Sequence, residues 1–233
     1  TSMKTCAFIF ARGGSKGVPG KNIKYLNGSP LIEYSIKVAK ELHDISSIFV
    51  STDDAEISNV ANRLGVEVIL RPSELAQDNS PEWASWKHAV QWVYKNKGVF
   101  DKFVSLPTTS PLRNSKDVKG AIDLLDDNTD VVITVSDVAR NPFFNMVKID
   151  NGYANLLIES DKVFTRRQDS HRVFDITTVA YVSSPEFILN NNYLFDGRVK
   201  AYIVPIERAI DIDTELDFSI AEFLSKKGKD KNA

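Results

Sequence analysis

The stretch TCAFIFARGGSKG, residues 5–17, decides the fold class of this 233-residue chain. Its first part, residues 5–11, is a short, continuous apolar run, which is typical of a strand buried on both faces of a sheet. Its second part is rich in glycine and positive charge and follows the strand directly. Such an arrangement indicates a sheet covered by helices, with a polar site where the strand ends.

Strand-like and helix-like segments alternate after this stretch as far as residue 135. Pro30 opens a helical pattern in which Ile32, Ile36, Ala39 and Leu42 share one face. Further predicted strands cover residues 48–51, 67–70, 103–106 and 131–135, and further predicted helices cover residues 54–64, 82–94 and 115–125. The alternation predicts an α/β fold with a doubly wound, mostly parallel sheet. Ligands of such folds bind outside the carboxyl ends of the strands.

The pattern changes after residue 135. Asp150-Asn151-Gly152 lies between two strand-like segments, residues 143–149 and 153–158, which predicts a β-hairpin. We expect residues 141–172 to form an inserted, β-rich arm and residues 3–140 and 173–226 to form one α/β domain. The remaining predicted elements are strands at residues 177–182 and 201–204, a short helix after Pro185, and a helix at residues 215–226 followed by a frayed tail.

The composition narrows the class of protein. The net charge is only −2, so no overall field would attract nucleic acid or an anionic membrane, and we expect neither as a partner. The sequence contains no run of 18 apolar residues, which a membrane span would need, and its N-terminus lacks a signal-peptide pattern. The single cysteine, Cys6, excludes an internal disulfide and favours a reducing compartment. We therefore expect a cytoplasmic protein.

The loop RGGSKGVPGKN, residues 12–22, has the composition of an anion-binding loop. Glycines let backbone N–H groups approach an anion closely, and Arg12, Lys16 and Lys21 could neutralise a triphosphate. The spacing excludes a Walker loop, because position 15 is serine, and it also excludes the Gly-x-Gly dinucleotide fingerprint. A flexible, solvated loop is the alternative interpretation.

Two more polar segments directly follow predicted strands. RPSELAQD, residues 71–78, could bring Arg71 and Asp78 to a ligand, or it could form only an extended dipeptide and a helical turn. LPTTSPLR, residues 106–113, offers hydroxyls that could bind a polar ligand or cap the next helix.

The segment DIDTELD, residues 211–217, contains paired carboxylates. In an extended chain Asp211 and Asp213 point to the same side, and two convergent carboxylates suit Mg²⁺. Thr214 and Asp217 also resemble a helix capping box, and the two interpretations are compatible. Arg166 and its neighbours could pair with a ligand carboxylate or could form a solvated surface pair.

Together, FARGGSKG (residues 10–17), Lys21-Asn22 and the segments at 71–78, 106–113 and 211–217 resemble the motifs of the CMP-sialic acid synthetases. More broadly they resemble the nucleotidyltransferases that make activated sugars. The resemblance implies a nucleotide-diphospho-sugar transferase-like fold and transfer of CMP from CTP to the anomeric hydroxyl of an acidic nine-carbon 2-keto sugar. It implies Mg²⁺ as cofactor, pyrophosphate as product, and a homodimer whose arm lends residues to the neighbouring site.

The resemblance also assigns roles to residues of this chain. The implied catalytic residues are Arg12, Lys21 and Asp211, and the implied metal ligands are Asp211 and Asp213. The implied nucleotide-binding residues are Ala11, Arg12, Gly13, Gly14, Ser15, Lys16, Lys21, Asn22, Arg71, Asp78 and Ser80. The implied sugar-binding residues are Thr108, Thr109, Ser110, Arg166, Arg167 and Gln168.

The chain departs from the family pattern near the expected base and sugar. Ser80-Pro81-Glu82-Trp83 stands where small hydroxyl residues are usual, and Pro107 replaces a glutamine that reaches the sugar. Thr177-Thr178-Val179 replaces Asn-Gly-Ala. These changes leave legionaminic, pseudaminic and Kdo-type sugars open as alternative substrates. A catalytically silent nucleotide-binding module is the alternative from another class.

Overall fold

In the computed structural model, which describes residues 3–14, 17–78 and 82–230, a seven-stranded sheet runs through the molecule. The strands are β1 (Thr5–Phe10), β2 (Tyr25–Leu26), β3 (Ser29–Pro30), β4 (Ile45–Thr52), β5 (Glu67–Leu70), β6 (Lys102–Ser105), β7 (Val131–Asp137), β8 (Val147–Asp150), β9 (Tyr153–Leu156), β10 (Phe174–Ser183) and β11 (Val199–Ile203). The helices are α1 (Leu31–Glu41), α2 (Ala55–Arg63), α3 (Glu82–Asn96), α4 (Ser115–Leu124), α5 (Pro185–Asn190) and α6 (Glu215–Asp230). The strand order in the large sheet is β11-β7-β10-β6-β1-β4-β5.

Strand β1 lies near the centre of this sheet and pairs in parallel with β4 and β6. Its alternate side chains enter two separate cores, with Ala7 and Ile9 in one and Cys6 and Phe8 in the other. The ring of Phe8 stacks on Phe103 with centroids 4.8 Å apart. Both faces of β1 are buried, which confirms the prediction from its apolar run.

Helices cover both faces of the sheet. Apolar side chains of α1, α2 and α4 pack into the first core, and those of α3 and α5 pack into the second. Helix α2 starts at the predicted place because the Asp54 carboxylate accepts the Ile57 N–H at 2.9 Å. These layers confirm the doubly wound α/β class.

Strand β10 is antiparallel to both of its neighbours, β6 and β7, whereas the other described pairs of the large sheet are parallel. Its register with β7 shifts between Thr177 and Tyr181. This bulge turns the intervening residues out of the regular alternation and redirects the side chain of Thr178. The sheet is therefore mostly parallel, as predicted.

The arm contains the predicted hairpin. Strands β8 and β9 pair in antiparallel register, and Asn151 and Gly152 in the turn have φ angles of 49° and 84°. Two positive φ angles are what a tight I′ turn requires, which explains the Asn-Gly pair. All residues of β8 and β9 are exposed. The division of the chain into two domains remains a prediction.

Helix α6 differs from the expectation at its C-terminus. The frayed tail predicted beyond residue 226 is wrong for residues 227–230, because the helix runs to Asp230. Lys227 and Lys229 lie in its last turn, where positive charge favours a helix, and Lys229 Nζ donates to the Asn27 carbonyl at 3.2 Å. No helix of the described part of the chain is both long and apolar enough to cross a lipid bilayer.

Candidate active site

A cavity of about 290 Å³ opens at the carboxyl ends of β1, β5 and β6, beside the bulge of β10. This is the edge at which a doubly wound sheet places its ligand site. The cavity is lined by Phe10, Arg12, Gly14, Lys21, Asn22, Arg71, Leu75, Gln77, Asp78, Glu82, Ser85, Pro107, Thr108, Thr109, Thr178 and Tyr181. Three predicted segments, at residues 12–22, 71–78 and 106–113, therefore meet there.

The glycine-rich loop is held close to its neighbours through its backbone. The Gly13 N–H donates to the Asp53 carboxylate at 2.9 Å. At Gly17 an added Cβ would lie 2.0 Å from the Asp213 carbonyl oxygen, so only glycine fits without a shift of the backbone. Ala11 is fully buried beneath the loop. The predicted nucleotide-binding residues Ser15 and Lys16 lie outside the described residues, as does Ser80.

Cationic groups of the loop point into the cavity. Arg12 forms an ion pair with Asp78 at 2.5 Å, so two predicted nucleotide-binding residues are in direct contact. Lys21 Nζ donates to the carbonyl of Ile212 at 3.2 Å, which places its charge beside the paired aspartates. Both cations line the cavity and could neutralise an anionic ligand there.

The buried side chain of Arg71 lines one side of the cavity. Its Nη2 donates to the Ser51 carbonyl at 3.1 Å, and its guanidinium lies 5.9 Å from the centroid of the Phe10 ring. Burial lowers the pKa of Arg71, whereas the carboxylates of Asp53 and Glu82 raise it. The position and orientation of this charge are fixed by the protein before any ligand binds.

Asn22 links the glycine-rich loop to the segment after β6. Its Nδ2 donates to the Arg12 carbonyl at 2.9 Å, and its Oδ1 accepts from the Thr108 hydroxyl at 2.6 Å. Both side chains are buried. In this structure Asn22 and Thr108 thus hold two loops together, and their predicted ligand contacts remain predictions.

The paired aspartates stand beside the cavity wall formed by Thr109 and Thr178. Asp211 is half-buried and Asp213 is exposed. Burial and the neighbouring Asp213 carboxylate raise the pKa of Asp211, while the hydroxyls of Thr109 and Thr178 lower it by hydrogen bonding. A divalent cation would offset the repulsion between these carboxylates, so the donor set fits Mg²⁺. Within the described residues, no cluster of three or more His, Cys, Asp or Glu side chains could hold a metal ion, so the aspartate pair would need ligand or water oxygens to complete its coordination.

The predicted capping box is present next to the aspartates. The Asp217 carboxylate accepts the N–H of Thr214 at 2.9 Å and the N–H of Asp213 at 3.0 Å. The Asp217 N–H donates to the Thr214 hydroxyl at 3.2 Å. The cap therefore fixes the backbone of Asp213, which confirms that the capping interpretation and the convergent carboxylates are compatible.

The predicted sugar-binding residues fall into three groups. Thr109 lines the cavity, whereas Ser110 is fully buried behind it and bonds to Thr178. Arg167 and Gln168 line a different cavity, of about 230 Å³, at the base of the arm. Arg166 forms an exposed ion pair with Asp169 at 2.9 Å. Residues 166–168 therefore do not line the first cavity.

Several site residues were not predicted. Thr178 reaches the site only because of the β10 bulge, and Asp53 because β4 ends beside β1. Glu82 begins α3 at the cavity, where the surrounding protein raises the pKa of its carboxyl and the charge of Arg71 opposes this shift. The difference from the family pattern at residues 80–83 indicates that this segment is unusual, but the sequence alone does not predict which of its side chains enters the cavity.

Comparison with known proteins shows which family the chain resembles in sequence. The sequence pattern described as "Cytidylyltransferase" matches residues 6–219. The chain is 35% identical to the CMP-N,N'-diacetyllegionaminic acid synthase of Campylobacter jejuni, over 93% of this chain and 92% of that protein. It is 33% identical to an N-acylneuraminate cytidylyltransferase of Streptococcus agalactiae, over 93% of this chain but only 52% of that protein.

A solved structure supports the same fold. The CMP-2-keto-3-deoxy-manno-octonic acid synthetase in complex with CTP superimposes with a TM-score of 0.73 and covers 97% of this chain and 99% of its own. Its sequence identity is 16%, so this likeness concerns the fold alone. The family pattern and the two relatives span nearly all of the chain. The chain therefore belongs to the cytidylyltransferase family.

Proposed function

We propose that this cytidylyltransferase transfers CMP from CTP to the anomeric hydroxyl of an acidic nine-carbon 2-keto sugar and releases pyrophosphate. The observation that carries the proposal is the contact between the glycine-rich loop and the paired aspartates, where Gly17 meets the Asp213 backbone and Lys21 the Ile212 carbonyl. This contact joins a phosphate-binding loop to a cation-binding pair. The named activities of the two sequence relatives agree with it.

In the proposed reaction the sugar oxygen attacks the α-phosphorus of CTP. A bond forms between that oxygen and the α-phosphorus, and the bond from the α-phosphorus to the β-phosphate oxygen breaks. Arg12 and Lys21 offset negative charge on the phosphates and the departing pyrophosphate. Asp211 and Asp213 would hold Mg²⁺, which supplies further positive charge to the phosphates. The half-buried Asp211 is a candidate acceptor for the hydroxyl proton.

The nucleoside would occupy the part of the cavity near Arg71 and Glu82. Arg71 is a fixed donor there, and a carboxylate such as Glu82 can accept a hydrogen bond from the cytosine amino group. The sugar would approach from the side of Thr109 and Thr178. Because Pro107 cannot supply the amide of the usual glutamine, the sugar can differ from N-acetylneuraminic acid, and legionaminic, pseudaminic and Kdo-type acids remain alternatives.

The proposal includes a homodimer in the cytoplasm. The hairpin β8–β9 is exposed along its whole length, with Ile149 and Tyr153 at 71% and 77% exposure, and an isolated two-stranded hairpin is only marginally stable. A second subunit would cover it and could bring Arg167 to its neighbour's cavity. The single buried cysteine favours a reducing compartment.

The test is pyrophosphate release with CTP and Mg²⁺ across a panel of sialic, legionaminic, pseudaminic and Kdo-type acids. We expect release with at least one sugar, and Asp211→Ala should lower it by more than about 100-fold because the cation and proton acceptor are lost. Asp127→Ala, an exposed aspartate far from the cavity, is the matched control. CTP binding without release for any sugar would contradict the proposal and favour the silent module.

A further inference from the structure

Four hydroxyl and carboxylate groups meet where the β10 bulge faces the paired aspartates. The Thr178 hydroxyl lies 3.1 Å from Asp211 Oδ1 and 2.7 Å from each of the hydroxyls of Thr109 and Ser110. These residues come from three segments of the chain that are distant in sequence. The bulge between Thr177 and Tyr181 is what aims Thr178 at Asp211.

The directions of these hydrogen bonds follow from the number of protons available. A threonine hydroxyl has one proton and two lone pairs, and an ionised carboxylate can only accept. Thr178 donates its single proton to Asp211 and can then only accept from its other neighbours, of which Ser110 is one. The Thr109 hydroxyl borders both Thr178 and Asp211, so its one proton can serve either of them, and the donor that faces Asp211 Oδ1 is Thr178.

The network is rigidly supported from behind. Arg113 is buried, and it donates from Nε to the Val179 carbonyl and from Nη1 to the Ser110 carbonyl, each at 2.7 Å. One side chain thus fixes both the bulge and the loop after β6. The Thr178 hydroxyl cannot leave Asp211 without also losing its hydrogen bonds to Thr109 and Ser110.

We propose that Thr178 is a positioning residue that holds Asp211 in its cation-binding orientation. Its hydroxyl donates to Oδ1 and so fixes the rotation of the Asp211 carboxylate beside Asp213. The family pattern described above has glycine at this position, so the hydroxyl would be a means of holding the aspartate that belongs to this chain. The inference rests on the proposed function, because it assumes that Asp211 binds the cation.

Three variants test this role. Thr178→Val removes the hydroxyl at nearly constant volume, and Thr178→Ser retains it. Thr177→Val is the matched control, since the Thr177 hydroxyl lies in the same bulge, is buried where Thr178 is half-buried, and contacts Thr134 at 2.6 Å instead of Asp211. Circular dichroism and thermal unfolding show that each variant is folded.

The primary measurement uses electron paramagnetic resonance to monitor the binding of Mn²⁺ to the CTP-loaded protein without sugar. Mn²⁺ is a spectroscopic substitute for Mg²⁺. We expect Thr178→Val to weaken Mn²⁺ binding about tenfold, as removal of a group that orients a metal ligand does. Thr178→Ser should restore the affinity, and Thr177→Val should leave it at the wild-type value.

The outcomes separate this inference from the proposed function. If the wild type binds CTP and Mn²⁺ and releases pyrophosphate while Thr178→Val binds Mn²⁺ equally well, the role of Thr178 is wrong and the proposed function stands. An equal loss in Thr178→Val and Thr177→Val would also overturn it, because the effect would then belong to the bulge as a whole. If the wild type shows neither CTP-dependent Mn²⁺ binding nor pyrophosphate release, both proposals fail.

Discussion

At the scale of single residues, the glycines of the first loop have different tasks. Gly13 offers its N–H to Asp53, whereas Gly17 is required because the Asp213 backbone passes directly over its Cα. Gly14 has open space, since an added Cβ would meet only Arg12 Nη1, at 3.7 Å. The composition of the loop alone could not distinguish these three roles, because the contacts come from residues 40 and about 200 positions away.

We expect Gly17→Ala to destabilise the protein by about 1–3 kcal/mol, the usual cost of forcing extra volume into a packed contact. The methyl group would push the Asp213 backbone away from the loop, so CTP-dependent cation binding should weaken as well. Urea unfolding and CTP titration measure the two effects. Gly14→Ala is the control for stability and should unfold like the wild type. A Gly17→Ala protein with wild-type stability would contradict the close contact.

At the scale of secondary-structure elements, Arg113 joins three of them. Its guanidinium bonds to Ser35 of α1 at 3.2 Å, to the loop after β6 through Ser110, and to the β10 bulge through Val179. Burial lowers the pKa of Arg113 to about 9, and the charge of Asp117 opposes this shift. Because the guanidinium is buried, its charge is stabilised by these carbonyl and hydroxyl acceptors instead of by water.

We expect Arg113→Lys to lower the free energy of unfolding by about 2–4 kcal/mol, because an ammonium group cannot reproduce the planar set of donors and leaves buried carbonyls without partners. Activity should fall with it, since the Ser110 and Thr178 positions depend on this side chain. Equilibrium unfolding in urea is the measurement. Arg63→Lys at the exposed C-terminal end of α2 should change stability by less than about 0.5 kcal/mol. Equal stabilities for the two variants would contradict the role of Arg113.

The elements that the sequence predicts well are those with strong local patterns. The spacing of Ile32, Ile36 and Ala39 predicts α1, and Asn151-Gly152 predicts the hairpin turn, because each pattern depends only on neighbours along the chain. The bulge in β10 depends on pairing with β7, more than 40 residues away, and no local pattern marks it. For this reason the position of Thr178 could not be predicted, although its departure from the family pattern could be seen.

At the scale of the whole molecule, the parallel sheet explains why separated motifs form one site. Strands β1, β4, β5 and β6 all end at the same edge, so the loops at residues 12–22, 71–78 and 106–113 begin close together. The segment at residues 166–168 does not follow this rule, because it belongs to the arm. Local sequence carries no information about which cavity an arm residue serves.

A mixing experiment decides whether the arm serves the neighbouring subunit. We expect Arg167→Ala and Asp211→Ala to be nearly inactive as separate homodimers. In a mixed dimer with exchanged arms, the subunit that retains Asp211 receives an intact Arg167 from its partner, so one of its two sites is complete. Random reassociation should then recover about one quarter of the wild-type activity, since half of the dimers are mixed.

The control pair for this experiment is Asp211→Ala with Asp213→Ala. Both substitutions damage the site of their own subunit, so their mixture should stay inactive whatever the arm does. Light scattering must show dimers in every mixture. If Arg167 instead acts on its own subunit's site, both sites of every mixed dimer are damaged and the Arg167→Ala and Asp211→Ala mixture remains as inactive as its parents. Recovery of activity in that mixture alone therefore requires that the arm of one subunit completes the site of the other.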